Sequence, residues 1–317
     1  MTAHALRIAW RFLSRRPTLV AVATLTLALG IGANTAMFSI VRAVLLNPLP
    51  FQEPEQLVAV WPEGNLPRGD YLLFQERATS YTAIAGYGDT YRASLTGDGE
   101  PLRVNTTQVT ANFFDVLGVA PQLGAPFHAD ASEPGRDRVV IISDELFRTR
   151  FAGDPDLIGQ AVTLDGEERT VIGVAPRQLR FPDSGIQAWV PAVLDPGDWG
   201  LLWTRGYLST LGRLAPDVAA EVAGREFKSL VPELRAAFPW DMPTSWAADA
   251  EVVPLRDAIV GDVKPALRLL FAAVGLVLLI AASTSPTCCS PTTAAGPRTW
   301  RCAPPSAAAG DVWSARC

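Results

Sequence analysis

The sequence predicts an α+β protein: a mixed α/β domain over residues 47–265, set between a membrane-length apolar segment and a second, shorter one. Three observations predict it. Thr18–Val41, "TLVAVATLTLALGIGANTAMFSIV", runs 24 residues without a charge, whereas a helix needs about 20 apolar residues to cross a bilayer core. Charge is divided along the chain: residues 1–45 carry five Arg and no acid, and residues 46–265 carry 18 Lys and Arg against 31 Asp and Glu, a balance of −13. The acidic stretch then alternates two-residue and helical periodicities, the mark of strands mixed with helices.

Taken in order, "ALRIAWRFLSRRP" places Leu6, Ala9, Trp10 and Leu13 at three- and four-residue spacing among Arg7, Arg11, Arg15 and Arg16. That predicts a basic amphipathic helix over residues 1–17, lying on an anionic membrane face. Residues 18–46 follow as a transmembrane helix, and the preceding Arg residues orient its N-terminus to the cytoplasm and send the acidic domain across the bilayer. A cleaved signal peptide has a shorter apolar region, roughly 7–15 residues, so an uncleaved helix is expected.

Within the domain, "RVNTTQVT" (Arg103–Thr110) alternates like a strand, and "ANFFDVLGV" supplies Asn112 to cap a short helix that Gly118 ends. "DRVVIISDELFRTRF" sets a buried strand, Val139–Ile142, before a helix capped by Ser143 or Asp144. "QAVTLDGEERTVIGVAP" is a hairpin turning at Asp165-Gly166, where φ must be positive. Pro216–Phe238 reads as an amphipathic helix with Val218, Val222, Phe227, Leu230 and Leu234 on its buried stripe. Leu269–Ala282 is apolar for only 14 residues, short of the roughly 17 that a span requires. It is expected to be the start of a second transmembrane helix over residues 266–282.

Composition and motifs exclude several functions. An acidic domain offers no basic face for a phosphate backbone, so no nucleic acid is expected as a partner. All four Cys (Cys288, Cys289, Cys302 and Cys317) lie in the last thirty residues, and the only His are His4 and His128. Neither a CxxC pair nor a zinc ribbon results, and no metal or other cofactor is expected. A Cys-free domain suits an extracytoplasmic compartment. The sequence holds no GxSxG, P-loop, GxGxxG or HExxH. His128 in "APFHADASEPG", near Asp130 and Glu133, has the chemistry of a general base, but no nucleophile stands beside it and a solvated loop explains it better. The acids of "LDGEER" are explained by a hairpin tip in water. Trp61, Trp189, Trp199, Trp203, Trp240 and Trp246 are scattered through Pro-rich loops, which suits packing better than a carbohydrate platform. No catalytic, cofactor or metal site residue is therefore named, and no enzyme is expected.

The blocks "GIGANTAMFSIVRAVLLNPLPFQEPEQLV", "ANFFDVLGVAPQLGAPF", "VVIISDELFRTRFAGDPDLIGQAVTLDGEERTVIGVAP" and "LRFP" occur in that order. Over residues 1–282 the chain resembles the MacB-like, FtsX-type ABC transporter permeases, and its "LRIAWRFLSRRP" lead is similar to the duplicated permeases of acidobacterial type. The resemblance implies a two-lobed α+β periplasmic core domain between inner-membrane helices. It implies no ATP binding by the chain itself, a separate ABC ATPase subunit as partner, and a homodimer or pseudo-dimer that passes ATP-driven motion to the periplasmic domain. A periplasmic adaptor or a wall enzyme is the further partner class. Members export macrolides, peptides or lipoproteins, or regulate wall hydrolases.

The tail departs from this pattern. In the family, "LLIA" leads into a C-x-N-V-A-N-L-L-L-A pattern and later M-A-V-R-A-A-L-G. Joining the last base of each codon to the first two of the next, "STSPTCCSP" permits N-V-A-N-L-L-L-A, with the Cys288–Cys289 junction encoding only Leu. The same shift lets "TWRCAPPSA" encode M-A-V-R-A-A-L-G. A frameshift near Ala281 is therefore expected, leaving the second helix truncated and residues 283–317 as an out-of-frame tail of disordered composition. Such a chain is a permease fragment that cannot transport by itself. Two other classes stay open: a membrane-anchored periplasmic interaction module and, less favoured, an anchored periplasmic enzyme.

Overall fold

The computed structural model describes residues 50–261 except Asp98, and isolated helical positions at 24, 28, 31, 32, 35, 269, 272, 275 and 276. The chain divides into two compact units, Met1–Gly32 with Ala272–Cys317, and Ala33–Phe271. Among the described residues no helix is long and apolar enough to cross a membrane. The helices expected over 1–17, 18–46 and 266–282, and the tail 283–317, lie outside the described residues apart from those isolated positions.

The second unit is built from twelve strands joined in one network. In chain order these are β1 (Leu57–Val60), β2 (Leu66–Pro67), β3 (Tyr81–Tyr87), β4 (Tyr91–Thr96), β5 (Leu102–Val109) and β6 (Leu123–Gly124). They continue as β7 (Val139–Ser143), β8 (Ala161–Leu164), β9 (Glu167–Ala175), β10 (Ala188–Pro191), β11 (Tyr207–Leu214) and β12 (Val252–Pro254). The helices are α1 (Arg68–Arg77), α2 (Phe113–Leu117), α3 (Asp144–Arg150), α4 (Trp199–Trp203), α5 (Ala220–Ala237) and α6 (Leu255–Gly261).

Six strands close on themselves in the order β5-β4-β8-β9-β7-β10, because β10 pairs antiparallel with β7 and parallel with β5. From β5 the network continues as an open antiparallel sheet, β3-β11-β1-β12. Period-two alternation explains how three cores fill this arrangement. Val104, Val140, Ile142, Val171, Ala188 and Val190 meet inside the six-stranded ring. The alternate residues of the same strands, Ile141 and Trp189, join Leu57, Ala59, Ala85, Leu211 and the aromatic face of α2 in a second core. The opposite face of the open sheet, Val58, Val60, Ile84 and Leu208, packs on Tyr71 and Phe74 of α1 and Phe227 and Leu234 of α5. Strand β1 is wholly apolar because both of its faces are covered.

The local signals are mostly met. Ser143 Oγ accepts from Leu146 N at 3.1 Å and caps α3. Asp165 (φ 51°) and Gly166 (φ 83°) make the hairpin turn between β8 and β9. Gly118 ends α2 at φ 65°. Three readings need correction. Asn112 does not cap α2 with its side chain: its Oδ1 accepts from Thr110 Oγ1 at 2.8 Å and its Nδ2 donates to Ile84 O at 2.8 Å, which ties the helix to β3 instead. Helix α5 starts at Ala220 rather than near Pro216, because Asp217 takes φ 63° and forms a turn first. Val222 stands exposed while Ala223 takes its place on the buried stripe.

Asp70 stands apart from this apolar packing. It lies on α1 with no exposed surface, and neither carboxyl oxygen has a hydrogen-bond partner among the described residues. Burial pushes its pKa up to about 8. The unfolded chain therefore releases this proton first, and stability falls as pH rises from about 4 toward 8. Asp70→Asn should leave stability at pH 4 nearly unchanged and raise it at pH 8 by about 2–4 kcal/mol, read as a pH-dependent gain in Tm of several degrees.

Candidate functional site: the incoming and outgoing strands

The chain enters and leaves the second unit side by side. The incoming strand β1 pairs antiparallel with the outgoing strand β12 through Val58↔Pro254, Ala59↔Val253 and Val60↔Val252. Trp61 N extends the ladder to Glu251 O at 2.7 Å. Valines on both strands, Val58 and Val60 of β1 and Val252 and Val253 of β12, favour this pairing. Helix α6 begins directly after β12, and its first residue, Leu255, is buried in the same core as Phe51, Leu57 and Ala59. Phe51 meets Phe181 edge-on at 6.0 Å. Both ends of the domain are thus anchored in one core, the one that lies between the ring of strands and the open sheet.

A single side chain clamps the incoming segment. Arg213 of β11 donates from Nε to Val116 O at 3.1 Å, and from Nη2 to Val116 O at 2.9 Å and Gln52 O at 2.8 Å. Its Nη1 reaches Glu53 O and Gln56 Oε1, each at 3.5 Å. The guanidinium fork satisfies carbonyls at the C-terminal end of α2, where helix carbonyls lack intrahelical partners. It also holds the bend before the 3₁₀ turn Pro54–Gln56, where Glu53 adopts φ 46°. Gly118 allows the approach: a Cβ there would meet the side chain of Gln52. Sequence reasoning passed over Arg213. Its only signal was a charge inside the otherwise uncharged run "YLSTLGRL".

Elsewhere on the domain, polar groups tie elements together. The Glu226 carboxylate on α5 accepts from Thr79 N, Thr79 Oγ1 and Ser80 N at 2.6–2.9 Å, pinning the α1–β3 loop. Burial raises its pKa, but these hydrogen bonds outweigh burial and hold it below the usual carboxylate value. His128 lies at the surface with its side chain 92% exposed, Nδ1 3.6 Å from Asp130 Oδ1, while Asp130 pairs with Arg136. Glu133 is 3.5 Å from Arg136 Nε. Glu167 and Glu168 are exposed at the hairpin, Glu167 pairing with Arg169 at 2.6 Å. The tryptophans are packed rather than arrayed: Trp61 and Trp246 meet edge-on at 5.4 Å, Phe238 joins Trp203, Trp240 and Trp246, and Trp189 abuts Phe114. Trp199 and Trp240 keep exposed surface, but their rings are inclined at 69°, which gives no flat platform. Among the described residues no group of three or more His, Cys, Asp or Glu is placed to hold a metal ion.

Two variants test this geometry. Arg213→Met keeps the aliphatic stem but strips hydrogen bonds from the carbonyls of Val116 and Gln52, and should lower stability by about 1–3 kcal/mol in urea denaturation. Ala59→Cys with Val253→Cys, in a chain whose four tail cysteines are Ser, should form a disulfide on mild oxidation because directly opposed strand residues bring their Cα atoms within disulfide range. A one-residue register slip would leave both thiols free.

The chain is similar to the periplasmic region of MacB from Actinobacillus actinomycetemcomitans, at 16% identity over 70% of this chain and 98% of that one, with a TM-score of 0.48. It is also similar to the extracellular domain of the noncanonic ABC-type transporter YknZ from Gram-positive bacteria, at 15% identity over 56% and 93% of the two chains, with a TM-score of 0.43. No curated protein matches. The family model of the MacB-like periplasmic core domain matches residues 20–230, and the chain belongs to that family.

Proposed function

We propose that this chain is the periplasmic module of an ABC transporter permease and acts as a mechanical rather than a catalytic element. A separate ABC ATPase would drive it, and a second copy or a pseudo-symmetric half would complete the assembly. The observation that carries the reading is the β1–β12 pair, which sets the incoming and outgoing segments next to each other and anchors both in one core. A domain moved by two adjacent membrane helices needs its two attachments rigidly joined, so that a shift at the base becomes a rotation of the whole body.

The membrane part of the reading rests on sequence and on three side chains. Residues 18–41 carry no charge, and Ile31, Leu269 and Leu276 are large apolar side chains left exposed at helical positions, where lipid suits them better than water. The N-terminus is cytoplasmic and residues 50–261 are periplasmic in this arrangement, where an adaptor or a wall enzyme is the partner class within reach. The tail beyond Ala281 is read as out of frame, because one register of the shifted codons restores the family pattern at two separate places. This exact chain then lacks a working second helix and does not transport.

Externally added protease should digest the domain in spheroplasts while sparing cytoplasmic markers; protection of the domain would overturn the orientation. Sequencing of the gene should show the family frame resuming just beyond the Ala281 codon. Co-expressed with the ABC ATPase encoded nearest to it, a frame-restored chain should co-purify with the ATPase and raise its ATP turnover several-fold, and this chain should do neither. Stimulation by the chain as written would refute the inactive reading.

A further inference from the structure

Arg68, the first residue of α1, is an unusual charge to find in the interior. Only 4% of its surface is exposed, and its backbone N donates to Gly206 O at 2.9 Å. The guanidinium donates from Nη1 to Val193 O and from Nη2 to Gln108 Oε1, each at 2.5 Å, and the buried Nε has no partner among the described residues. Every one of these acceptors is neutral. Asp70, two residues on, does not supply the missing charge: its oxygens have no hydrogen-bond partner among the described residues and burial keeps it protonated up to about pH 8. A buried guanidinium that lacks a counter-ion is costly, and native proteins pair such charges.

The same side chain lines a cavity of about 470 Å³, with Gln108, Val193 and Pro191 beside it and Leu201 and Arg205 from α4 and the residues after it. That volume is in the range of small-ligand sites. Arg205 is committed to Asp198 at 3.1 Å. The remaining lining is acidic on balance: Asp137 and Glu167 share Arg169, and Asp165 Oδ1 accepts from Ser94 N at 2.7 Å.

We propose that this cavity binds a small carboxylate, which completes the hydrogen bonding of Arg68 and neutralises it. The planar fork of a guanidinium matches a carboxylate in a two-point contact. A doubly charged phosphate would face Asp137, Asp165 and Glu167 across the cavity, so a single negative charge fits. The carboxylate belongs either to a small free acid or to the C-terminus of a peptide. This inference stands on Arg68 alone and does not depend on the transport reading.

The test is thermal unfolding of the purified full chain in sodium acetate against sodium chloride at matched ionic strength. Acetate should raise Tm by a few degrees in a saturable manner, since a ligand that binds only the folded state stabilises it. Gln108→Glu places a carboxylate where the amide oxygen already contacts Arg68. It should raise the starting Tm and abolish the acetate response. Gly-Gly-Ala and its C-terminal amide separate the two sources: a response to the free tripeptide and not the amide assigns a peptide terminus, and a response to acetate without the tripeptide assigns a free acid. No shift beyond the chloride control overturns the proposal. So does a larger shift with inorganic phosphate than with acetate, or an acetate response that survives in Gln108→Glu.

Discussion

The structure depends on one strand that cannot be assigned to either half. Along one edge, β5 pairs with β4 from Leu102 to Thr106 and then with β3 at Val109; along the other it runs parallel to β10. Strands β3 and β4 are therefore two parts of one bent partner, and the bend at residues 88–90 hands β5 from the ring to the open sheet. Gly88 N to Gln108 O and Thr110 N to Gly86 O keep the backbone paired through that hand-over. Because buried backbone groups must stay paired, the ring and the sheet cannot separate without breaking this ladder. From β12 the hydrogen-bonded path runs through β1, β11 and β3 to β5 without a gap. A displacement of the incoming and outgoing strands reaches the ring through backbone hydrogen bonds alone.

The core between the two halves makes that path stiff. Phe113 and Phe114 of α2 sit against Tyr87 of β3, Phe127, Phe181 and Trp189 of β10, in edge-on and stacked contacts between 5.8 and 6.2 Å. These aromatic contacts come from both sides of β5, so sliding one half over the other would open a void among large rings, each costing a few kcal/mol. Arg213 adds the polar counterpart. It fixes the bend before β1 to the end of α2, the helix that carries those rings. The joint is thus fixed by chemistry of two kinds, aromatic packing and the hydrogen bonds of a guanidinium.

Local physics made much of this legible in the sequence. Val139–Ile142, the Asp165-Gly166 turn, Ser143 as a cap and Gly118 as a helix end all follow from rules that act within a few residues. What escaped depends on distant partners. Asn112 looks like a cap until Ile84 and Thr110 compete for its amide. The α5 stripe shifts from Val222 to Ala223 because the sheet under it, through Val252 and Leu214, sets which face is buried. The closure of the ring was not legible, since β10 joins β5 across 82 residues, Ala188 to Thr106. Arg213 and Arg68 were invisible for the same reason: their meaning lies in carbonyls 97 and 125 residues away.

Most of the domain is locally consistent, with apolar strands inside, Gly and Asp in turns, and charges at the surface. Departures from such consistency cluster where a protein does something beyond folding. Two of them share the first turn of α1, where Arg68 and Asp70 are both buried and, among the described residues, neither completes its partners. Gln108, the side chain that receives Arg68, belongs to β5 and precedes Val109, the residue through which β5 pairs with β3. The charge without a partner and the strand common to both halves therefore meet at one residue. A carboxylate bound at Arg68, as proposed above, would change the hydrogen bonding of Gln108 on the strand common to both halves.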